Sequence, residues 1–253
     1  MFWTPRWIAS HLFAASLIVA FVIAGFWQID RLQARQTANE AVLARESSQP
    51  VALADVPGDT PAEQEYRRVQ LAGSYDGGRE ILIANRSDEG TPGFWAWTVF
   101  EIETGGEILV NRGFVSRAIV IGVEGAAPLS STQPTSGPVI VEGLLRQGLD
   151  GGGRLSEDGS QLSRPDSALA AEQLAVDTVL DPLLYLELDA QDPALTADFP
   201  RVIPPPDLGE GPHRSYAFQW FTFATIGVIG YGLVLRRIAR GSEARGDIGQ
   251  RDL

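Results

Sequence analysis

Two runs of twenty residues without Asp, Glu, Lys or Arg stand near opposite ends of this chain: IASHLFAASLIVAFVIAGFW over 8–27 and YAFQWFTFATIGVIGYGLVL over 216–235. A helix of about 20 residues crosses a bilayer's hydrocarbon core, so each run is long enough to be a transmembrane span. A buried core helix usually shows a polar face, and these runs have little to offer one. A cleaved signal peptide carries a shorter apolar stretch of about 7–15 residues and small residues at its cleavage site. Here the first run ends in the bulky GFWQIDR, and the seven residues before it are too few for a mitochondrial transit peptide. Both runs are therefore read as membrane spans.

Arginine placement sets their orientation, because the chain has no lysine. Arg6 precedes the first span; Arg236, Arg237, Arg240 and Arg245 follow the second. Residues 30–214 hold 14 arginines against 29 acids, a net of −15 in a chain of net −12. Positive charge collects on the cytoplasmic side of membrane proteins. Both termini are thus expected in the cytoplasm and the acidic middle outside it, its two ends at one membrane surface. So acidic a domain repels phosphates and is no nucleic-acid binder. With no cysteine and only the initiator methionine, the chain has no disulfide, no thiolate or thioether metal site and no covalent haem attachment.

The expected organisation is a cytoplasmic start (1–7), a first transmembrane helix (8–28), an extracytoplasmic domain (29–214), a second transmembrane helix (215–235) and a cytoplasmic tail (236–253). Good helix formers in 29–47 extend the first helix beyond the membrane, and VPGDTP at 56–61 breaks it. Strands are expected at 66–76, 79–86, 94–103, 107–115, 138–147 and 183–189. Gly77-Gly78 reads as a hairpin turn between the first two of these, and TGG at 104–106 joins the third and fourth. DGGGRLSEDGS at 150–160 reads as a flexible polar loop. DSALAAEQLA at 166–175 reads as a short helix capped by Asp166, and the proline-rich 198–212 as an extended approach to the second span. The fold class is an α+β membrane protein, two transmembrane helices flanking a mostly antiparallel β domain.

Catalytic chemistry finds little footing. With His11 inside one span and His213 beside the other, no histidine is left for a soluble nucleophile–base pair. Glu101 and Glu103 share a strand face that suits solvent, and the glycine pairs are turns rather than phosphate loops. The membrane borders hold more: Trp27, Gln28 and Arg31 at the outer end of the first span, and Gly211, His213, Tyr216, Gln219 and Trp220 at that of the second. Tryptophan and tyrosine are ordinary interfacial anchors. An amide near hydrocarbon wants a partner, so Gln28 and Gln219 bond either to each other or to a polar ligand. His213 ligates a metal, bonds a headgroup or does neither. His11 and His213 lie roughly 24 Å apart along the spans at about 1.5 Å per residue, too far to share one iron within a chain. His11 is read as a packing or snorkelling residue.

GPHRSYAFQWF (211–221), AGFWQIDRLQAR (24–35) and ILVNRGFV (108–115) together resemble the Surfeit locus protein 1 family, assembly factors of haem-copper cytochrome c oxidase. Tyr66-Arg67-Arg68-Val69 and Pro92-Gly93 fall in the same order, and the likeness covers nearly the whole chain. Departures are mild: Ala24 and Arg35 stand where leucine and lysine are common. The resemblance implies a non-enzymatic role: binding haem a and helping to place it in the oxidase's catalytic subunit. It also implies partnership with the haem a synthesis machinery and the bilayer, in a bacterial plasma membrane. His213 corresponds to the family's histidine, the metal ligand; Trp27, Gln28, Gln219 and Trp220 correspond to its cofactor neighbours. Tyr216 joins them, and Arg31 or Arg214 pairs with a propionate. Arg112 and Gly113 are expected to be structural. The alternatives are a scaffold that grips an oxidase subunit without haem and, less well supported, a membrane enzyme. Copper delivery is disfavoured by the missing sulfur ligands.

Overall fold

The computed structural model describes residues 4–127, 129–195, 197–204 and 208–249, with side chains as far as Arg240. Residues 205–207 of the proline-rich segment, the Arg245 side chain and the end of the expected cytoplasmic tail lie outside the described residues. The chain divides into two compact units, Met1–Ala41 with Asp207–Leu253, and Val42–Pro206. In order, the elements are α1 (Pro5–Glu46), α2 (Pro61–Gln64), β1 (Arg68–Asp88), β2 (Thr91–Ile102), β3 (Glu107–Ser116), α3 (Arg117–Val120), β4 (Val139–Gln147), β5 (Gln161–Leu162), α4 (Ser167–Gln173), β6 (Leu184–Asp192) and α5 (His213–Gly249).

The first unit is helical. α1 runs unbroken through the apolar run and the helix formers after it, as the composition of 29–47 predicts. α1 and the stretch His213–Arg240 are both long and apolar enough to cross a membrane. Only 6% of the most apolar window of each is buried, which separates them from the core helices of a soluble protein. Phe13 and Phe218 are more than two-thirds exposed, so both helices present apolar side chains outward.

The second unit is a sheet in the order β2-β3-β6-β4-β1-β5, and β1 also pairs with β2. Five strands therefore close into a ring and β5 hangs on β1. The pairs β1–β2, β2–β3, β1–β4 and β4–β6 are antiparallel, whereas β3–β6 and β1–β5 are parallel. One face packs Val69, Leu71, Phe100, Val110, Val141 and Leu186 inside the ring. The other packs Ile81, Ile83, Trp97 and Tyr185 with Ala170 and Ala171 of α4. β3 is buried along nearly its whole length, which explains why it reads as an apolar run rather than an alternation. Asp166 caps α4, its carboxylate accepting the Leu169 amide at 3.1 Å.

Two expectations need correction. Gly77-Gly78 is no hairpin: β1 continues through it, and both halves pair with β2, from Asp76↔Val99 to Glu80↔Thr98. The intervening residues form a bulge. Asp76 Oδ1 accepts the Gly78 amide at 2.9 Å, and a Cβ on Gly77 would stand 3.2 Å from Pro134. These glycines thus permit close approach, not a turn. The real β1–β2 turn is Glu89-Gly90, both at positive φ (47° and 81°), the two-residue geometry that matches strand twist. The 150–160 loop is likewise tied: Leu155 bridges Leu162, and Asp158 accepts from Ser156 and Ser160.

The bulge aims Arg79 at β3, where it donates to both Glu107 oxygens, at 2.9 and 2.5 Å, and to Asp76 at 2.6 Å. Arg79 holds the carboxyls of Glu107 and Asp76 below their ordinary values. The folded state therefore binds these protons less readily than the unfolded chain. The triad's stabilisation is full above the ordinary carboxylate range and drains away as pH falls through it towards the lowered values. Burial pushes Glu187 the other way, upward, while hydrogen bonds from Ser156 and Ser160 lower Asp158 and those from Asp59 and Thr60 lower Glu63, so Arg79's partners supply one part of the acid limb. Melting the full chain in detergent against pH should show stability falling on acidification. Glu107→Gln should lower the melting temperature at neutral pH and flatten that limb; an unaltered limb refutes the assignment.

Candidate functional site

In the helical unit, small residues let α1 and α5 approach. Phe221 lies flat on Gly25, where a Cβ would meet its ring at 2.7 Å, and Ile18 sits over Gly227. Ala217 and Ala224 are buried in the same seam. The helices run antiparallel, since His11 pairs with Tyr231 at one end and Gln28 with His213 at the other. Beyond Gln28, α1 is laced to the chain that leads into α5: Gln36 donates to Glu210 at 2.7 Å and Arg35 to the Gly209 carbonyl at 3.3 Å. An aromatic cluster flanks the seam, with Phe21 stacked on Trp220 at 5.8 Å and Phe26 edge-on to Phe221 at 5.4 Å.

His213 is the first residue of α5, directly after Pro212, whose fixed φ presets a helix start. Its Nδ1 stands 2.8 Å from Gln28 Oε1, and Gln28 is only 9% exposed. An amide oxygen only accepts, so facing it Nδ1 is the donor. In the neutral tautomer that this contact selects, Nε2 keeps its lone pair. A Cβ on Gly211, at φ +70°, would stand 3.7 Å from that Nε2, so glycine keeps one approach to it narrow-shouldered. A ring whose N–H is tied to a fixed acceptor, with the other nitrogen basic, is the arrangement of metal-ligating histidines.

The structure unites some of the expected residues and separates others. Gln28 and His213 meet. Arg31 lies over the Trp27 ring, 5.6 Å from its centre, on a half-exposed face of α1. Trp220 joins Phe21 and Phe223. Gln219 is exposed, and Gln28 bonds His213 rather than Gln219. Tyr216 and Arg214 are exposed on the first turn of α5. His11 hydrogen-bonds Tyr231, about 25 Å of helix from Gln28 at the standard rise. Gly25, Phe21 and Phe221 escaped the sequence reading; the signal was a glycine three residues before Gln28 in an otherwise bulky run. Among the described residues no group of three or more His, Asp or Glu converges to hold a metal ion.

In the sheet unit, Asn111-Arg112-Gly113 forms a bulge against Ala96-Trp97. It turns Arg112 inward, fully buried, with Nε donating to Thr98 at 2.7 Å, another nitrogen to the Thr132 carbonyl at 2.8 Å, and the third to Glu80. Every arm of the guanidinium is occupied, so this motif is structural.

Comparison with known proteins matches residues 15–225 to the model of the SURF1 family. A SURF1-like protein of Monosiga brevicollis is 33% identical over 135 residues, 49% of either chain. An uncharacterized SURF1-like protein of Mycobacterium tuberculosis is 24% identical over 246 residues, 90% of this chain and 83% of that one. The cytochrome oxidase assembly protein SHY1 of Saccharomyces cerevisiae is 29% identical over 111 residues, 43% of this chain and 28% of that one.

Proposed function

The chain belongs to the SURF1 family, and on that premise we propose that it serves cytochrome oxidase assembly, holding haem a through His213 for insertion into the oxidase's catalytic subunit. In this reading α1 and α5 span the membrane with both termini cytoplasmic, and the sheet domain lies outside. The observation that carries the proposal is the Nδ1–Gln28 hydrogen bond, which leaves Nε2 basic. His213 would hold the haem iron through that neutral imidazole nitrogen. Trp27, Trp220 and Tyr216 offer aromatic faces to a porphyrin, and Gln219 an amide. Arg31 and Arg214 offer cations to its propionates. The role is one of binding and transfer, without catalysis.

The full chain in non-ionic detergent should take up haem a with a Soret band that His213→Ala abolishes. Gln28→Leu should weaken binding about 10–100-fold, because it frees the tautomer and ring orientation. An unchanged spectrum and stoichiometry in His213→Ala overturns the proposal. One observation favours a second reading: the same hydrogen bond clasps the two helices, as a haem-free scaffold would need. That scaffold predicts no Soret band in the parent protein but co-purification of an oxidase subunit.

A further inference from the structure

The sheet domain carries a separate surface. Two depressions of about 720 and 740 Å³ share Ala72, Ile102 and Glu103 as a common wall and so form one trough. Its floor is apolar, built from Leu53, Val56, Leu71, Ile102, Val139 and Leu180. Asp59, Glu101, Glu103, Asp181 and Asp192 line it too, and no arginine does. Glu101 reaches Arg79 at 3.3 Å. Among the described residues, no arginine comes within ion-pair distance of the other four.

The imbalance follows from where the domain's cations are spent. Arg68 holds Glu142 and Asp189, Arg146 holds Glu187, Arg112 holds Glu80, and Arg201 holds Asp88. Residues 42–206 carry 11 arginines against 25 acids, and the trough lies where carboxylates go uncompensated. Its chemistry selects an occupant. An anionic lipid surface or a nucleic acid is repelled. A bare cation leaves the apolar floor wet, and the described acids form no converging metal cluster.

We propose that this trough docks a partner protein's segment bearing alternating basic and apolar side chains. The basic groups meet the rim and the apolar ones cover the floor. Charge complementarity of this kind sets partner choice and association rate. The inference is independent of haem binding by His213.

The test uses the full chain in non-ionic detergent and a fluorescein-labelled peptide of alternating leucine and lysine, read by anisotropy with empty micelles subtracted. Companion peptides replace lysine by glutamate, or leucine by serine. The leucine–lysine peptide should bind, more weakly as salt rises; the glutamate peptide should not bind, and the serine peptide should bind less tightly. Glu103→Lys, on the shared wall, should weaken binding about fivefold or more, and Asp59→Lys should act in the same direction, whereas Glu124→Lys outside the trough should stay within about twofold. Melting temperatures establish that each variant is folded. Equal losses in Glu103→Lys and Glu124→Lys mean diffuse attraction to an acidic domain and overturn the proposal, as does failure of the leucine–lysine peptide to bind.

Discussion

Replacing Arg112 by methionine should destabilise the sheet domain by about 3–5 kcal/mol, because removing one partner of a buried ion pair strands the other. For a domain of this size that is a fall of roughly 6–20 °C in melting temperature. The guanidinium is fully buried and its three nitrogens serve Thr98, the Thr132 carbonyl and Glu80. Methionine fills much of the volume but leaves the Thr132 carbonyl without its donor and the Glu80 carboxylate without its cation, held only by the Thr98 hydroxyl at 2.7 Å. Arg112→Lys keeps the charge and loses the fork, since an ammonium cannot donate in three coplanar directions; it should fall between parent and Arg112→Met. Adding Glu80→Leu to Arg112→Met removes the stranded charge and should recover part of the loss. Thermal melts of the full chain in detergent, followed by tryptophan fluorescence, read all three. A shift under about 2 °C for Arg112→Met contradicts the account.

Arg112 also shows where sequence reading stops. The motif Asn-Arg-Gly could be assigned a structural role, yet nothing in it names Glu80, Thr98 or Thr132 as partners. Glu80 and Thr98 face each other across β1 and β2, but Arg112 reaches them only through the bulge between Ala96 and Trp97, and Thr132 arrives from the segment after α3. Local signals fared better. The turn at Gly105-Gly106 was legible because both glycines take positive φ, 105° and 81°, the property for which glycine doublets are chosen. Gly77-Gly78 carries the same letters for another reason, space beside Pro134, and so misled. The Glu89-Gly90 turn was missed because glutamate rarely accepts a left-handed conformation. The long helices were plain in the charge-free runs, and His213 and Gln28 stood out as polar residues at an apolar border. Their mutual hydrogen bond was not legible. The sequence offered Gln28 either Gln219 or a polar ligand as partner, and only the antiparallel pairing across Gly25 and Phe221 puts Gln28 against the imidazole.

Gly113→Ala should be strongly damaging to the sheet domain, with Gly105→Ala as its internal control. Both glycines lie in the left-handed region, φ +122° and +105°, so each alanine suffers backbone strain of about 1–2 kcal/mol. At Gly105 a Cβ finds nothing within 4 Å, and strain is the whole cost. At Gly113 it would lie 2.2 Å from the Arg201 carbonyl oxygen and 2.6 Å from its carbon. That carbonyl cannot swing aside freely, because it accepts the Phe114 amide at 2.7 Å while the Arg201 amide donates back to Phe114 at 2.8 Å. Relief requires breaking this bridge, which pins the chain leaving the domain to β3. The Gly113 variant should therefore lose about 3 kcal/mol or more, counting strain, overpacking and the two hydrogen bonds. Hydrogen exchange should show the Phe114 and Arg201 amides losing protection in Gly113→Ala and keeping it in Gly105→Ala. If the two variants melt together, the clash contributes nothing and the close approach at Gly113 is not what that glycine is for.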